Sequence, residues 1–329
     1  MAGLPRRDFL RIAAGAATLP ALPGKAGAQD FPSRPISMIV PFAAGGPTDV
    51  IARLMAERMG RELGQNVIVE DVTGAAGSIG VGRVARAPGD GYTIGIGHWS
   101  THVANGAIYA LPYDLLTDLE PVAELPSNPM VIVTRPNMPA KDLKELVAWI
   151  KANPNVTMGT AGVGSGSHIS GVYFQSLTGA HVQFVAYRGT DPALLDLIGG
   201  RIDVMFDQVS EAIQRLRDGT LRAYAVTAKQ RLAAAPDIPT VDEAGLPGLY
   251  VNIWYGLWAP KGTSRDVIAK LNGAAKVAMA DPVVQKRFAE LSLDMPAPDQ
   301  QSAQALGALH RAEIGKWWPI IKAAGIKAE

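Results

Sequence analysis

From residue 36 onward, short apolar runs of strand length alternate with stretches of helical periodicity, and few folds accommodate that order. The run Ile36–Val40 (ISMIV) precedes an amphipathic segment, 49–63, with Ile51, Leu54, Met55, Met59 and Leu63 on one face and Gly64 as a stop. A strand at 67–70, a glycine-bearing loop at 74–77, a helix at 78–87 and a strand at 92–97 follow. The pattern then restarts, with strands at 130–134, 156–160, 182–187, 202–206 and 221–227. Helices at 141–152, 167–178, 191–199 and 210–218 fall between them. Such alternation places parallel strands in a sheet with helices on both faces.

The break near residue 130 divides this α/β chain into two units. Proline-bearing stretches at 126–129 (PSNP) and 236–248 are the candidate crossings between them. A last strand near 251–259 and helices near 264–280, 282–291 and 300–323 need a partner, and the first unit has only about three strands by itself. The expected organisation is lobe 1 from 29–128 and 250–329, and lobe 2 from 129–249. Two units joined by two crossings make a hinged clamp with a ligand cleft between them.

Residues 1–28 read as an export signal. Arg6, Arg7 and Arg11 lead into a short apolar segment, IAAGAATLPAL, and Ala26-Gly27-Ala28 supplies a small-residue cleavage site. The string RRDFLR resembles a twin-arginine signal, with a Sec signal as the alternative. Cleavage near Ala28 takes away a net charge of +3 from a chain of +1 and leaves about −2. With no basic run, nucleic acid is an unsuitable partner. The chain has no cysteine, so neither disulfides nor thiol-linked lipid are available, and no later stretch is apolar enough to span a bilayer. The expected location is the periplasm.

In open parallel sheets, ligands bind beyond the carboxyl ends of the strands. PFAAGGPTD at 41–49 lies there. Gly45 and Gly46 admit close approach to the backbone, Pro47 suits the first helical turn, and Thr48 and Asp49 are capping types. A helix start of this kind favours an anion. GAAGSIG at 74–80, GHWSTH at 97–102, GTAGVGSGSH at 159–168 and the Asp191-Pro192 helix start repeat the device. Asp49 has two readings, a helix cap or a contact for a ligand amine or hydroxyl. Asp207, after the strand IDVMF, lies at the cleft edge, and Phe42, Trp99 and Tyr187 either wall the cleft or fill the core. No GxxxxGK[ST] string or dinucleotide fingerprint occurs, so no cofactor is expected. AGSIG only approaches a nucleophile elbow at Ser78, and His98 with His102 lacks the acidic partner of a metal motif, so no catalytic or metal residue is assigned.

PFAAGGPTDVIAR, APGDGYT, LPYDLLTDLEPV, AYRGTDPALLDLIGGRID and PTVDEAGLPG, with the loops above, resemble the periplasmic solute receptors of tripartite tricarboxylate transporters, the Bordetella uptake gene family. The resemblance runs from about residue 31 to the C-terminus. It implies a two-domain type II periplasmic binding-protein (Venus-flytrap) fold and no enzyme activity. It also implies a small carboxylate ligand (a di- or tricarboxylate, an amino acid or an aromatic acid), delivered by a monomer to membrane permease subunits. Presentation of the ligand to a signalling kinase and hydrolysis by Ser78 are the alternatives. Carried onto this chain, with the cleft reading above, the ligand-binding set is Phe42, Ala43, Gly46, Thr48, Asp49, Ser78, His98, Ser100, Thr160, Gly164, Ser165, Ser167, His168, Tyr187, Gly189 and Asp207. Two departures stand out: Phe184 and Ala186 replace the His and Pro of the family's HVPY, and Gly106 follows Asn105 where the family often has proline.

Replacing Arg6 and Arg7 together by lysine is expected to strand the uncleaved precursor in the cytoplasm, read by cell fractionation. Unchanged export would assign the segment to the Sec route.

Overall fold

The computed structural model describes residues 31–232 and 234–327. The export segment and its cleavage near Ala28 lie outside the described residues.

Strand β1 (Ile36–Val40) buries four of its five residues, as a strand covered on both faces must. It runs parallel to β2 (Val67–Asp71) on one side and β3 (Thr93–His98) on the other. The chain then makes β4 (Leu119–Thr134), β5 (Thr157–Thr160), β6 (Gln183–Ala186), β7 (Val204–Gln208), β8 (Arg222–Val226) and β9 (Asn252–Pro260). The strand order is β2-β1-β3-β9-β4-β7-β5-β6, with β8 paired to β4. The first lobe's sheet thus contains the late strand β9, antiparallel to both β3 and β4. The second lobe's sheet uses the far half of β4 against β7 and β8, with β5 parallel to β6 and β7.

The helices are α1 (Pro47–Leu63), α2 (Ser78–Ala85), α3 (Asn105–Ile108), α4 (Leu143–Ala152), α5 (Gly166–Thr178), α6 (Thr190–Ile198), α7 (Val209–Arg217), α8 (Arg265–Ala280), α9 (Pro282–Glu290) and α10 (Ala303–Ala323). Helix α1 buries Ile51, Ala52, Met55, Ala56 and Met59 and ends at Gly64 in the left-handed region. Each of its long apolar side chains contributes about 1.5–3 kcal/mol by burial. A charge at Met55, which is fully buried, would break this face.

The largest difference from the sequence reading is β4. Residues 126–129 are no loop: a single 16-residue strand passes from one lobe to the other. Its prolines do not end it, because the pairing with β9 shifts register between Pro121 and Ala123 and between Glu124 and Ser127, around Pro121 and Pro126. At the change of partner, the Thr227 N–H donates to the Met130 carbonyl at 2.8 Å and the Val251 N–H donates to the Thr227 carbonyl at 3.3 Å. Thr227 therefore fastens both crossing segments. Asn128, fully buried beside it, donates to Gln208 Oε1 at 3.3 Å.

GHWSTH is a turn only at its start, since Ser100–Ala104 form a π-helical turn. That turn separates the two histidines. His102 enters the lobe 1 core and stacks on Trp258 at 3.6 Å between ring centroids. His310, from α10, meets the His102 carbonyl through Nε2 at 2.6 Å. Trp99 also belongs to the core, edge-on to Trp317 at 5.1 Å, and so does not wall a cleft. Burial lowers the pKa of His310 to about 4 and that of His98 to about 4. Burial, with His310 and His98 as like charges, holds His102 well below its ordinary value.

These rings are neutral in the folded chain, whereas in the unfolded chain they take protons once the pH falls below about 6.5. Their contribution to stability is complete above that pH and is lost as the pH falls toward 4. Glu124, pushed up to about 7 by burial, acts in the opposite sense. Comparison with His310→Gln cancels the carboxylates. The variant's unfolding free energy, from urea titrations between pH 6.5 and 4.5, should fall less steeply, by on the order of 1 kcal/mol per pH unit. Equal slopes would show that His310 is not held neutral.

Candidate functional site

A cleft of about 930 Å³ lies between the lobes. Eleven of the sixteen candidate residues line it: Phe42, Ala43, Gly46, Thr48, His98, Ser100, Gly164, Ser165, Ser167, Gly189 and Asp207. Asp49, Ser78, Thr160, His168 and Tyr187 do not line it.

The same local device shapes the main loop of each lobe. In lobe 1, Gly45 takes φ +85°, two residues before the first residue of α1. Its N–H donates to Asp49 Oδ2 at 2.7 Å. In lobe 2, Gly164 takes φ +76°, two residues before the first residue of α5, and its N–H donates to His168 Nδ1 at 3.1 Å. Both acceptors are the third helical residue. A left-handed backbone at these two points favours glycine, and the tie fixes the turn. Gly164 also allows a close approach between lobes, since a Cβ there would lie 2.7 Å from Ile108 Cδ1.

Asp49 is therefore a loop clasp. Its carboxylate is 3% exposed, and Arg53 Nε lies 2.8 Å from Oδ1. Burial raises its pKa, but Arg53 and the Gly45 N–H outweigh burial and hold it below the ordinary value. The Arg53 side chain is half exposed and also reaches Asp71 at 3.1 Å, so solvent screens the pair. His168 plays the matching part, with Phe184 edge-on at 4.7 Å. Phe184, one of the departures from the family pattern, thus packs against the clasp.

With Asp49 turned away, the start of α1 has no side-chain cap among the described residues. Its N-cap is Gly46, Pro47 has no N–H, and the Thr48 and Asp49 N–H groups lack intrahelical acceptors. The start of α6 in lobe 2 is alike: its N-cap is Gly189, without a side-chain cap, and Thr190 and Asp191 supply the N–H groups. Each such end carries roughly half a positive charge. Helix α5 differs, because polar side chains at its start and in the loop before it take up backbone N–H groups. Ser165 accepts from the His168 N–H, Ser167 Oγ accepts from the Ala161 N–H at 2.8 Å, and Thr160 Oγ1 accepts from the Gly162 N–H at 3.4 Å.

His98 stacks flat on Phe42 at 4.7 Å and meets Tyr255 edge-on at 5.5 Å. Its Nδ1 accepts from the Ser100 N–H at 3.0 Å. The neutral ring therefore carries its proton on Nε2, as an uncharged donor at the cleft. Asn105, 1% exposed, donates to the Ala76 carbonyl at 2.8 Å and holds a loop in which Ala75 and Ala76 have φ of +46° and +50°. Two left-handed alanines cost on the order of 1–2 kcal/mol each. Gly106 follows Asn105 because a Cβ there would lie 2.6 Å from the Trp318 ring.

Among the described residues no histidine bonds to Ser78, whose Oγ donates to the Ala75 carbonyl. Ser78 starts α2 in lobe 1, His168 lies in α5 of lobe 2, and His310 is in the core. Tyr187 bonds to Asp196 at 2.8 Å, behind the cleft wall. No group of three metal-ligating side chains is present among the described residues. The sequence reading missed Glu211, Arg215, Gln208 and Tyr255, all of which line the cleft. The available signal was Glu211 and Arg215 one helical turn apart in α7, directly after Asp207 at the end of β7.

Residues 51–326 match the profile of the tripartite tricarboxylate transporter family receptor. The chain is 41% identical over 306 residues, 92% of its length and 88% of the relative's, to a protein encoded in the TAR-I ttuE-ttuC' intergenic region of Agrobacterium vitis. It resembles the structure of MatC from Rhodopseudomonas palustris with bound malate, at TM-score 0.79 and 38% identity, over 88% of this chain and 100% of that one. A second R. palustris structure, with adipate, gives TM-score 0.81 at 30% identity over 91% of this chain and 100% of that one. No described helix is long and apolar enough to cross a membrane. With its two-lobed periplasmic binding-protein fold, the chain belongs to the tripartite tricarboxylate transporter receptor family.

Proposed function

We propose that this protein is a periplasmic receptor that captures a small carboxylate between its lobes and delivers it to a tripartite-type membrane transporter. The observation that carries this reading is the pair of uncapped helix starts, α1 from one lobe and α6 from the other, on a single cleft. Backbone N–H groups and a neutral histidine donor suit a carboxylate without a lysine cluster. Arg215, the one lysine or arginine among the lining residues, is occupied by Asp191 at 3.5 Å. The malate and adipate structures of the relatives support the ligand class. The lobe boundaries we propose are 29–128 with 250–329, and 129–249, with the change of partner in β4 as the pivot. In this reading Phe42, Ala43, Gly46, Thr48, His98, Ser100, Gly164, Ser165, Ser167, Gly189 and Asp207 face the ligand. Asp49 and His168 position them, and ligand favours the closed form by bridging both lobes.

Thermal unfolding with a panel of mono-, di- and tricarboxylates tests the proposal. One or a few acids should raise the melting temperature and be recovered unchanged, with about 2.7 kcal/mol of stabilisation at a hundredfold excess over Kd. Stabilisation by none of them, together with ester hydrolysis that vanishes in Ser78→Ala, would overturn it.

The clasps have a separate signature. Asp49→Ala and His168→Ala each leave a glycine N–H without its acceptor, and urea unfolding should show a loss of about 1–3 kcal/mol. Affinity for the stabilising acid should fall in both. A variant with unchanged affinity would show that its loop does not shape the cleft.

A further inference from the structure

The lobe 2 floor of the cleft is acidic, which a site for a simple anion does not require. Asp207 is 2% exposed and lines the cleft, and its Oδ2 has no hydrogen-bond partner among the described residues. Its Oδ1 accepts only from the neighbouring Gln208 N–H, at 2.9 Å. Glu211, in the first turn of the helix α7 that follows this strand, also lines the cleft. The nearby guanidinium of Arg215 is directed elsewhere, 3.1 Å from the Glu211 carbonyl and 3.5 Å from Asp191 at the exposed rim. Two carboxylates thus share a half-enclosed space, and among the described residues neither is paired to a cation. Burial pushes both up, and the charge of Glu211 pushes Asp207 further. A buried carboxylate with an unused oxygen is costly unless a partner arrives.

We propose that Asp207 and Glu211 form a subsite for a ligand ammonium group, so that the captured acid is an amino acid held by its carboxylate at the α1 helix start and by its amine at the lobe 2 floor. This rests on the carboxylate-receptor reading and narrows its ligand class. An ammonium supplies both the missing charge and several donors. A hydroxyl supplies one donor and no charge. The ligand then bridges the lobes with charges of opposite sign, and the two ends of the cleft select its orientation.

The test uses acid pairs that differ only in the amine: L-aspartate with succinate, L-glutamate with glutarate, and L-phenylalanine with 3-phenylpropionate. Calorimetric titration of the full mature chain should show at least one amino member binding roughly tenfold or more tighter than its partner, the order of one charge-assisted contact. Asp207→Asn should erase that ratio. Glu211→Gln, at a less buried position, should reduce it if the first variant does not fold, as judged by circular dichroism. Equal or tighter binding of the deaminated partners, or a ratio unchanged in a folded variant, overturns the ammonium subsite and leaves the carboxylate reading intact. Binding of none of these six acids also overturns the subsite. The carboxylate reading falls as well only if the wider acid panel gives no stabilisation.

Discussion

The cleft depends on one hydrogen bond, made twice. In each lobe a left-handed glycine before a helix gives its N–H to the side chain at the third helical position, Asp49 for Gly45 and His168 for Gly164. The contact is local, and it decides what else is available. Because Asp49 is engaged backward to Gly45 and outward to Arg53, it does not cap the start of α1 from the front. The helix N–H groups remain for a ligand. The acceptors differ, one a carboxylate stabilised by a guanidinium and the other a half-buried ring whose pKa burial lowers. The geometry of the tie is therefore shared between the lobes while the chemistry is not.

The clamp rests on β4. One strand contributes its first half to one sheet and its second half to another, and Thr227 fastens it to the returning segment at Val251. Three prolines lie in or beside this passage, at 121, 126 and 129. Near the first two the register shifts, so the missing N–H groups fall where the ladder is already irregular. Asn128, buried and bonded to Gln208, ties the pivot to the cleft floor.

Most of the fold was legible because burial on both faces leaves continuous apolar runs, and the positions of all helices but the short α3 followed from their periodicity within three residues. The long strand was not, since prolines in PSNP normally mark a loop and only pairing with a distant strand overrides them. In the site, Gly45, Gly46 and Pro47 announced a helix start, but the role of Asp49 could not be separated from capping without knowing where its side chain turned. Glycines at 74 and 77 marked a loop, yet the residues between them, Ala75 and Ala76, are also left-handed and are held by Asn105 from a different segment. The acidic floor was not legible for a simpler reason: Gly, Ser and Thr mark anion donors in loops, whereas Glu211 and Arg215 lie inside α7.

The uncapped helix starts have a kinetic consequence. A peptide dipole acts over about one helical turn, whereas a fixed cation is felt across roughly a Debye length in dilute buffer. A mouth whose anion donors are dipoles and a neutral ring, and whose rim charges Asp191 and Arg215 offset each other, draws little from a distance, and a near-neutral chain adds little long-range field. Capture speed should then be governed by diffusion and by the opening of the jaws, and it should be almost indifferent to ionic strength. Such a protein works equally well in dilute and saline surroundings, because discrimination begins only after the molecule is inside.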